Sequence, residues 1–220
     1  SKIHLVVELG SSNTYIYKVG SGLVLAEPSL VANKFGTKET FAVGIDAKKL
    51  IGKTSEAITV VSPIKNGIVK NKPMAQKMFL EFYKKVMPNK SIWDSIDVIL
   101  CVSNGLTDNQ IEDFKEIIYY TGIGNVKILP SSITSIVGAG ININKPSAFI
   151  SLNIGGGTTD LAVVSLNDIV SGFSINFGGE DMDECIRQYI YNTKELEISL
   201  LTAEKLKNEC VSFDENDMSN

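Results

Sequence analysis

The chain has 220 residues, 44% apolar and 21% charged, enough to bury a substantial core as one large domain or two small ones. Its formal net charge is −4 and Arg187 is its only arginine, which argues against a grip on nucleic-acid phosphates. No window reaches about 18 consecutive apolar residues, so no membrane-spanning helix is expected, and no signal-peptide pattern is seen.

Ile3–Leu9 and Thr14–Val19 read as strands rich in β-branched and aromatic residues. Leu23–Leu25 and Leu30–Ala32 continue a meander around Glu27-Pro28-Ser29, and Phe41–Gly44 is a short strand. Asp46–Leu50 is a short helix, and residues 63–71 are a polar connection. Pro73 opens a long helix in which Met74, Met78, Phe82 and Val86 recur every four residues, and Pro88 ends it. Ile96–Val102 is a buried strand, Thr107 caps a helix over Asp108–Tyr120, and Gly122 stops it. Val126–Leu129 is a strand, followed by a helix from Ser131 or Ser132 to Gly138. A second meander follows over Ala148–Ile154, Leu161–Ser165 and Ile169–Ile175, then helices over Asp181–Tyr191 and Thr202–Glu209. Each half runs meander first and helices after, a mixed α/β pattern with internal duplication.

The duplication carries a motif. Val7-Glu8-Leu9-Gly10-Ser11-Ser12-Asn13-Thr14 and Leu152-Asn153-Ile154-Gly155-Gly156-Gly157-Thr158-Thr159 are each an apolar strand running into a small-residue turn. Such turns let backbone N–H groups approach a phosphate closely, and hydroxyls add donors. One copy would be an ordinary hairpin turn; two in matching contexts point to two halves gripping one polyphosphate.

These residues resemble the phosphate loops of the actin-like ATPases. Leu25–Ala32, Ala42-Val43-Gly44, Pro63–Val69 and Val137-Gly138-Ala139-Gly140 are similar to the bacterial actins of the MreB family in particular. The resemblance covers nearly the whole chain, in the family's order. It implies an actin-like, ribonuclease H-like duplicated α/β fold with a nucleotide cleft between two halves. On this resemblance residues 1–32 and 72–146 form subdomain IA and residues 33–71 subdomain IB. Residues 147–180 begin subdomain IIA, and residues 181–220 form an incomplete subdomain IIB, the family's C-terminal part being absent from this sequence.

The resemblance also implies ATP and Mg²⁺ as cofactors. It places Ser11, Ser12, Asn13, Gly155, Gly156, Gly157 and Thr158 on the nucleotide phosphates, with Glu204 and Lys207 toward the nucleoside. Glu204 and Lys207 could equally be an ordinary surface pair three residues apart on a helix. Where the family usually has two aspartates that hold the metal mostly through water, this chain has Glu8 and Asn153, one lengthened and one uncharged, which weakens metal positioning. The family's water-orienting glutamate falls at Ser131, which is too short and too weakly basic for that work and is suited instead to capping the next helix. Thr158 remains. The expectation is nucleotide binding with weak or absent hydrolysis.

The function implied is a cytoskeletal protein polymerising into actin-like filaments for cell shape or motility, in the cytoplasm at the inner face of the membrane. The partners implied are its own copies, that membrane surface and paralogous MreB chains, with no nucleic acid. Ile92 and Trp93 lie where the family inserts apolar residues into lipid, and Lys84, Lys85 and Lys90 nearby suit an interface; packing of Trp93 on the core is the alternative. Gly178–Asp183 also resembles DnaK-type chaperones, which keeps an active ATPase switch as a second reading.

Residues 47–54 miss the P-loop pattern only at its first glycine, but their first part reads as helix and no long apolar helix follows. His4 is the only histidine and reads as a strand residue. Cys101, Cys185 and Cys210 are odd in number and widely spaced, which fits a reduced compartment.

Overall fold

The computed structural model describes residues 2–34, 36–37, 40–52, 58–89, 91, 93–210 and 212. The chain opens with strands β1 (Lys2–Leu9), β2 (Asn13–Lys18) and β3 (Gly22–Pro28), an antiparallel meander. Strands β4 (Val31–Lys34) and β5 (Thr40–Val43), helix α1 (Gly44–Lys48) and strand β6 (Ile58–Val61) follow; β4 lies between β5 and β6 in a small antiparallel sheet. A two-residue hairpin comes next, β7 (Ile64–Lys65) and β8 (Ile68–Val69), then helix α2 (Lys72–Val86). Strand β9 (Ser95–Val102), helix α3 (Asp108–Tyr119) and strand β10 (Asn125–Pro130) complete the first half. Both strands return parallel, giving a five-stranded sheet in the order β10-β9-β1-β2-β3.

Helix α4 (Ser131–Gly138) leads into a second meander of β11 (Phe149–Ile154), β12 (Thr159–Ser165) and β13 (Asp168–Ile175). Helices α5 (Gly179–Lys194) and α6 (Leu200–Cys210) follow.

The main core lies between the five-stranded sheet and α2 and α3. Met78, Phe79 and Phe82 of α2 and Ile117 and Ile118 of α3 are fully buried against Leu5, Val7, Ile16 and Leu100. Local signals hold these helices where the sequence puts them. Asn71 accepts from the Met74 N–H at the start of α2, and Thr107 and Gln110 form a reciprocal capping box on α3. A smaller core joins Ile136 of α4 and Ile143 to Ala162 and Val164 of β12. The other face of the second sheet is apolar and exposed: Ile150, Leu152 and Ile154 on β11 and Phe173 and Ile175 on β13 point to solvent.

Several boundaries differ from the sequence reading. Strand β3 runs through Glu27 and Pro28, because Pro28 sits at the strand end where its missing N–H costs no interior ladder bond. Ile58–Val61 is a strand, and the connection at residues 63–71 holds the β7–β8 hairpin, whose turn residues Asn66 and Gly67 both have positive φ. An Asn-Gly pair between apolar residues is the strongest short hairpin signal, and Asn66-Gly67 makes such a turn. Of the P-loop-like stretch, α1 covers the beginning, while Lys53 and Thr54 lie outside the described residues.

Candidate nucleotide site

The two small-residue turns close in the same way. The Gly10 N–H donates to the Asn13 carbonyl at 2.9 Å, and the Gly155 N–H donates to the Thr158 carbonyl at 2.8 Å. Each turn joins the first two strands of its own meander, so the duplication seen in sequence is a duplication of backbone geometry.

The turns meet face to face. A methyl group at Gly156 would overlap Ser12 Oγ, and one at Gly157 would lie 2.7 Å from Ser11 Oγ and 2.9 Å from the Asn66 nitrogen. Only glycine allows this approach. The β7–β8 hairpin forms a third wall. Its Gly67 N–H donates to Ser11 Oγ at 3.1 Å, and Ser62 Oγ donates to the Ser11 carbonyl at 2.9 Å. Behind the second turn, the first N–H groups of α5, those of Gly179 and Glu180, donate to the Gly155 and Gly156 carbonyls at 2.9 Å each. Ser12 Oγ donates to Glu180 Oε1 at 2.6 Å and so ties the first turn to α5.

Between these elements lies a cleft of about 800 Å³, within the range of small-molecule sites. Glu8, Ser11, Ser12, Asn13, Ser131, Asn153, Gly155, Gly156, Gly157, Thr158, Glu204 and Lys207 all line it. So do residues the sequence reading did not single out, among them Lys48, Ser103, Asp160 and Glu180. Lys48 and Glu180 reach the cleft only through long-range packing. Asp160 follows the second turn directly, and its place on a buried-face position of β12 was readable from strand alternation.

The acidic side of the cleft draws on both sheets, with Glu8 from β1 and Asn153 and Asp160 from β11 and β12. Burial, and secondarily the charge of Asp160, pushes the Glu8 carboxyl above the ordinary glutamate range. Asp160 is buried, and its Oδ1 accepts from the Asn104 N–H at 3.2 Å. Asn153 stands directly opposite Asp160 in the β11–β12 register. Their side-chain oxygens are hard donors, of the kind a divalent cation such as Mg²⁺ takes one or two at a time.

Ser131 does not cap α4. Pro130 occupies the N-cap position, and the Ser131 hydroxyl donates to the Val102 carbonyl at 3.0 Å. As the first helical residue its own side chain cannot reach the N–H groups a cap serves. Thr158 Oγ1 lies 3.3 Å from Ser103 Oγ.

Glu204 and Lys207 do not pair with one another. Lys207 Nζ lies 2.7 Å from Asp183 Oδ1 and donates to the Gly179 carbonyl at 2.8 Å, anchoring α6 to α5. Glu204 faces Lys48 instead, 3.2 Å away.

Trp93 lies outside this cleft and is 82% exposed, so it does not pack on the core. Ile92 lies outside the described residues. Among the described residues no helix is long and apolar enough to cross a membrane.

Comparison with known proteins agrees with this geometry. The family model described as MreB/Mbl protein matches residues 2–219. The chain is 35% identical over 209 residues to the cell shape-determining protein MreB of Escherichia coli K12, covering 93% of this chain and 60% of the relative. It is 32% identical over 201 residues to the cell shape-determining protein Mbl of Bacillus subtilis 168, covering 91% and 60%. The crystal structure of MreB 5 of Spiroplasma citri bound to AMPPNP superposes with a TM-score of 0.90 at 33% identity, covering 98% of this chain and 64% of that one. A double helical filament of MamK shares the fold at a TM-score of 0.79 and 17% identity, covering 95% and 65%. The chain thus spans about 60% of the length of the curated relatives it matches. With its duplicated meanders, two apposed turns and interposed cleft, the fold is actin-like, and the chain belongs to the MreB/Mbl family.

Proposed function

We propose that this chain binds ATP or ADP as part of a bacterial cytoskeletal protein that assembles into actin-like filaments and hydrolyses ATP weakly or not at all. The observation that carries this reading is the pair of apposed turns with equivalent closing hydrogen bonds on one cleft. The subdomain division at residues 32, 71, 146 and 180 belongs to the same proposal.

In this reading the backbone of Gly10–Asn13 and Gly155–Thr158 faces the phosphates, and the hydroxyls of Ser11, Ser12 and Thr158 complete the cradle. Glu8 and Asp160, with the amide oxygen of Asn153, would hold Mg²⁺, which supplies positive charge to the phosphate oxygens. Glu204 reaches the nucleoside, while Lys207 supports α6 beside it. Ser131 is nearly buried and its hydroxyl serves the Val102 carbonyl, so no carboxylate at that position orients an attacking water. Slow chemistry follows.

Membrane association is proposed through Trp93, whose exposed indole suits a lipid interface. The filament would lie at the inner face of the cell membrane, with copies of itself and paralogous MreB chains as partners. The kinship to cell shape-determining relatives favours this reading over a chaperone-type ATPase switch.

The test is fluorescent-nucleotide titration with sedimentation of the same protein at saturating Mg-ATP. Saturable binding, sedimentable polymer and slow phosphate release are expected. Fast turnover with no sedimentable polymer would overturn the filament reading.

A further inference from the structure

Two elements far apart in sequence face each other over the cleft. Lys48 ends α1 and Glu204 lies on α6, 156 residues later, yet Lys48 Nζ sits 3.2 Å and 3.5 Å from the two Glu204 carboxylate oxygens. Each partner is 35–39% exposed, so the pair forms at the wet edge of the cleft rather than in a core.

Both partners are held by their own side of the molecule. On the Lys48 side, Ala47 is fully buried and Gly44 packs so closely on Glu27 and Phe82 that a methyl group there would overlap the Glu27 carboxylate. Glu27 in turn accepts from the Ile45 N–H at 3.2 Å and from Lys85 at 2.7 Å, which fixes α1. On the Glu204 side, Lys207 lies one helical turn along and is tied to Asp183 and to the Gly179 carbonyl. Neither helix can follow the other without breaking these anchors. Separation of α1 from α6 therefore has to break the Lys48–Glu204 pair.

We propose that Lys48 is a nucleotide-retaining residue: its ion pair with Glu204 is a clasp that holds the cleft shut over a bound nucleotide and positions the Glu204 carboxylate toward the nucleoside. This rests on the nucleotide-binding reading given above. Lys48 acts through Glu204 and is a positioning residue. Its effect falls on nucleotide release, because a clasp that forms after entry slows exit more than it slows encounter.

The experiment is stopped-flow release of a fluorescent ADP from wild type, Lys48→Met and Lys48→Arg, with Mg²⁺ present, at low and high salt. Lys48→Met should release the nucleotide about two- to fivefold faster, the span expected of a partly exposed ion pair, with its association rate unchanged. Lys48→Arg should restore slow release. Salt should speed release from wild type by a larger factor than from Lys48→Met, because only wild type has the pair to lose. Thermal melts without nucleotide would show whether Lys48→Met still folds. Release from folded Lys48→Met at the wild-type rate would overturn the clasp, as would equal slowing or speeding of association and release. If wild type binds no nucleotide, the nucleotide reading itself falls, a result distinguishable from failure of the clasp alone.

Discussion

Gly156 and Ser12 stand in contact across the cleft, so close that any side chain at Gly156 would overlap the Ser12 hydroxyl. Gly156→Ala must push the two turns apart. We expect a loss of about 1–3 kcal/mol in urea unfolding, as for other overpacked sites, together with weaker nucleotide binding. Gly138→Ala is the control. Nothing lies within 4 Å of a methyl there, the residue is exposed and helical, and it should be neutral or stabilising by up to about 1 kcal/mol.

Ser131→Glu should bring a carboxylate to the cleft wall. Single-turnover phosphate release at saturating Mg-ATP is expected to rise about a hundredfold, the lower end of what a positioned base contributes. Ser131→Ala removes only the hydrogen bond to Val102 and should cost about 1 kcal/mol of stability without changing the rate. An unchanged rate in a folded Ser131→Glu protein would count against a missing water-orienting group as the cause of slow hydrolysis.

Glu8 gives a pH dependence with a defined sign. Its folded pKa is raised, so between the unfolded value near 4.5 and the higher folded value the native state binds more protons than the unfolded state. Stability therefore falls as pH rises through that window and stays lower above it. Glu8→Gln should be more stable than wild type near neutral pH without metal. The gain should vanish below the unfolded value, where both states carry a protonated Glu8. Denaturant melts across pH would show the two curves converging on the acid side. The same substitution should reduce stabilisation by Mg²⁺ in the presence of ADP.

Cysteine reactivity should divide the three thiols. Burial pushes the Cys101 thiol up to about 11, only partly offset by its hydrogen bond with Thr134, whereas Cys185 and Cys210 are exposed. At about pH 8 the two exposed thiols should react with Ellman's reagent promptly, and Cys101 only after unfolding. Prompt reaction of all three thiols in the native protein would contradict the packing around β9.

Trp93 is the only tryptophan and is exposed, which makes it a reporter of its own environment. Emission should shift to shorter wavelength on adding anionic phospholipid vesicles, and Trp93→Ala should co-sediment less with them. No shift with vesicles that nevertheless bind the protein would place the membrane contact elsewhere.

The parts of this molecule that rest on local chemistry were legible in its sequence. Thr107 announces the start of α3, the four-residue apolar spacing announces α2, and the paired Gly/Ser/Thr turns announce the candidate site. What stayed hidden depends on distance. Asn66-Gly67 read as a plain connection, yet its hairpin donates to Ser11 and forms a wall of the cleft. Ser131 read as a helix cap because serine caps well, but the chain gave that position to Pro130 and turned the hydroxyl to β9.

Sequence alone determined the duplicated turn and the helices with their own start signals, because strand alternation, turn chemistry and capping act over a few residues. Only the tertiary structure decided which groups meet in the cleft. Asn153 stands beside Asp160, Ser12 reaches Glu180, and Glu204 turns from Lys207, three residues away, to Lys48, 156 residues away. Those partnerships come from strand register and helix docking, where many weak contacts are summed over the whole chain.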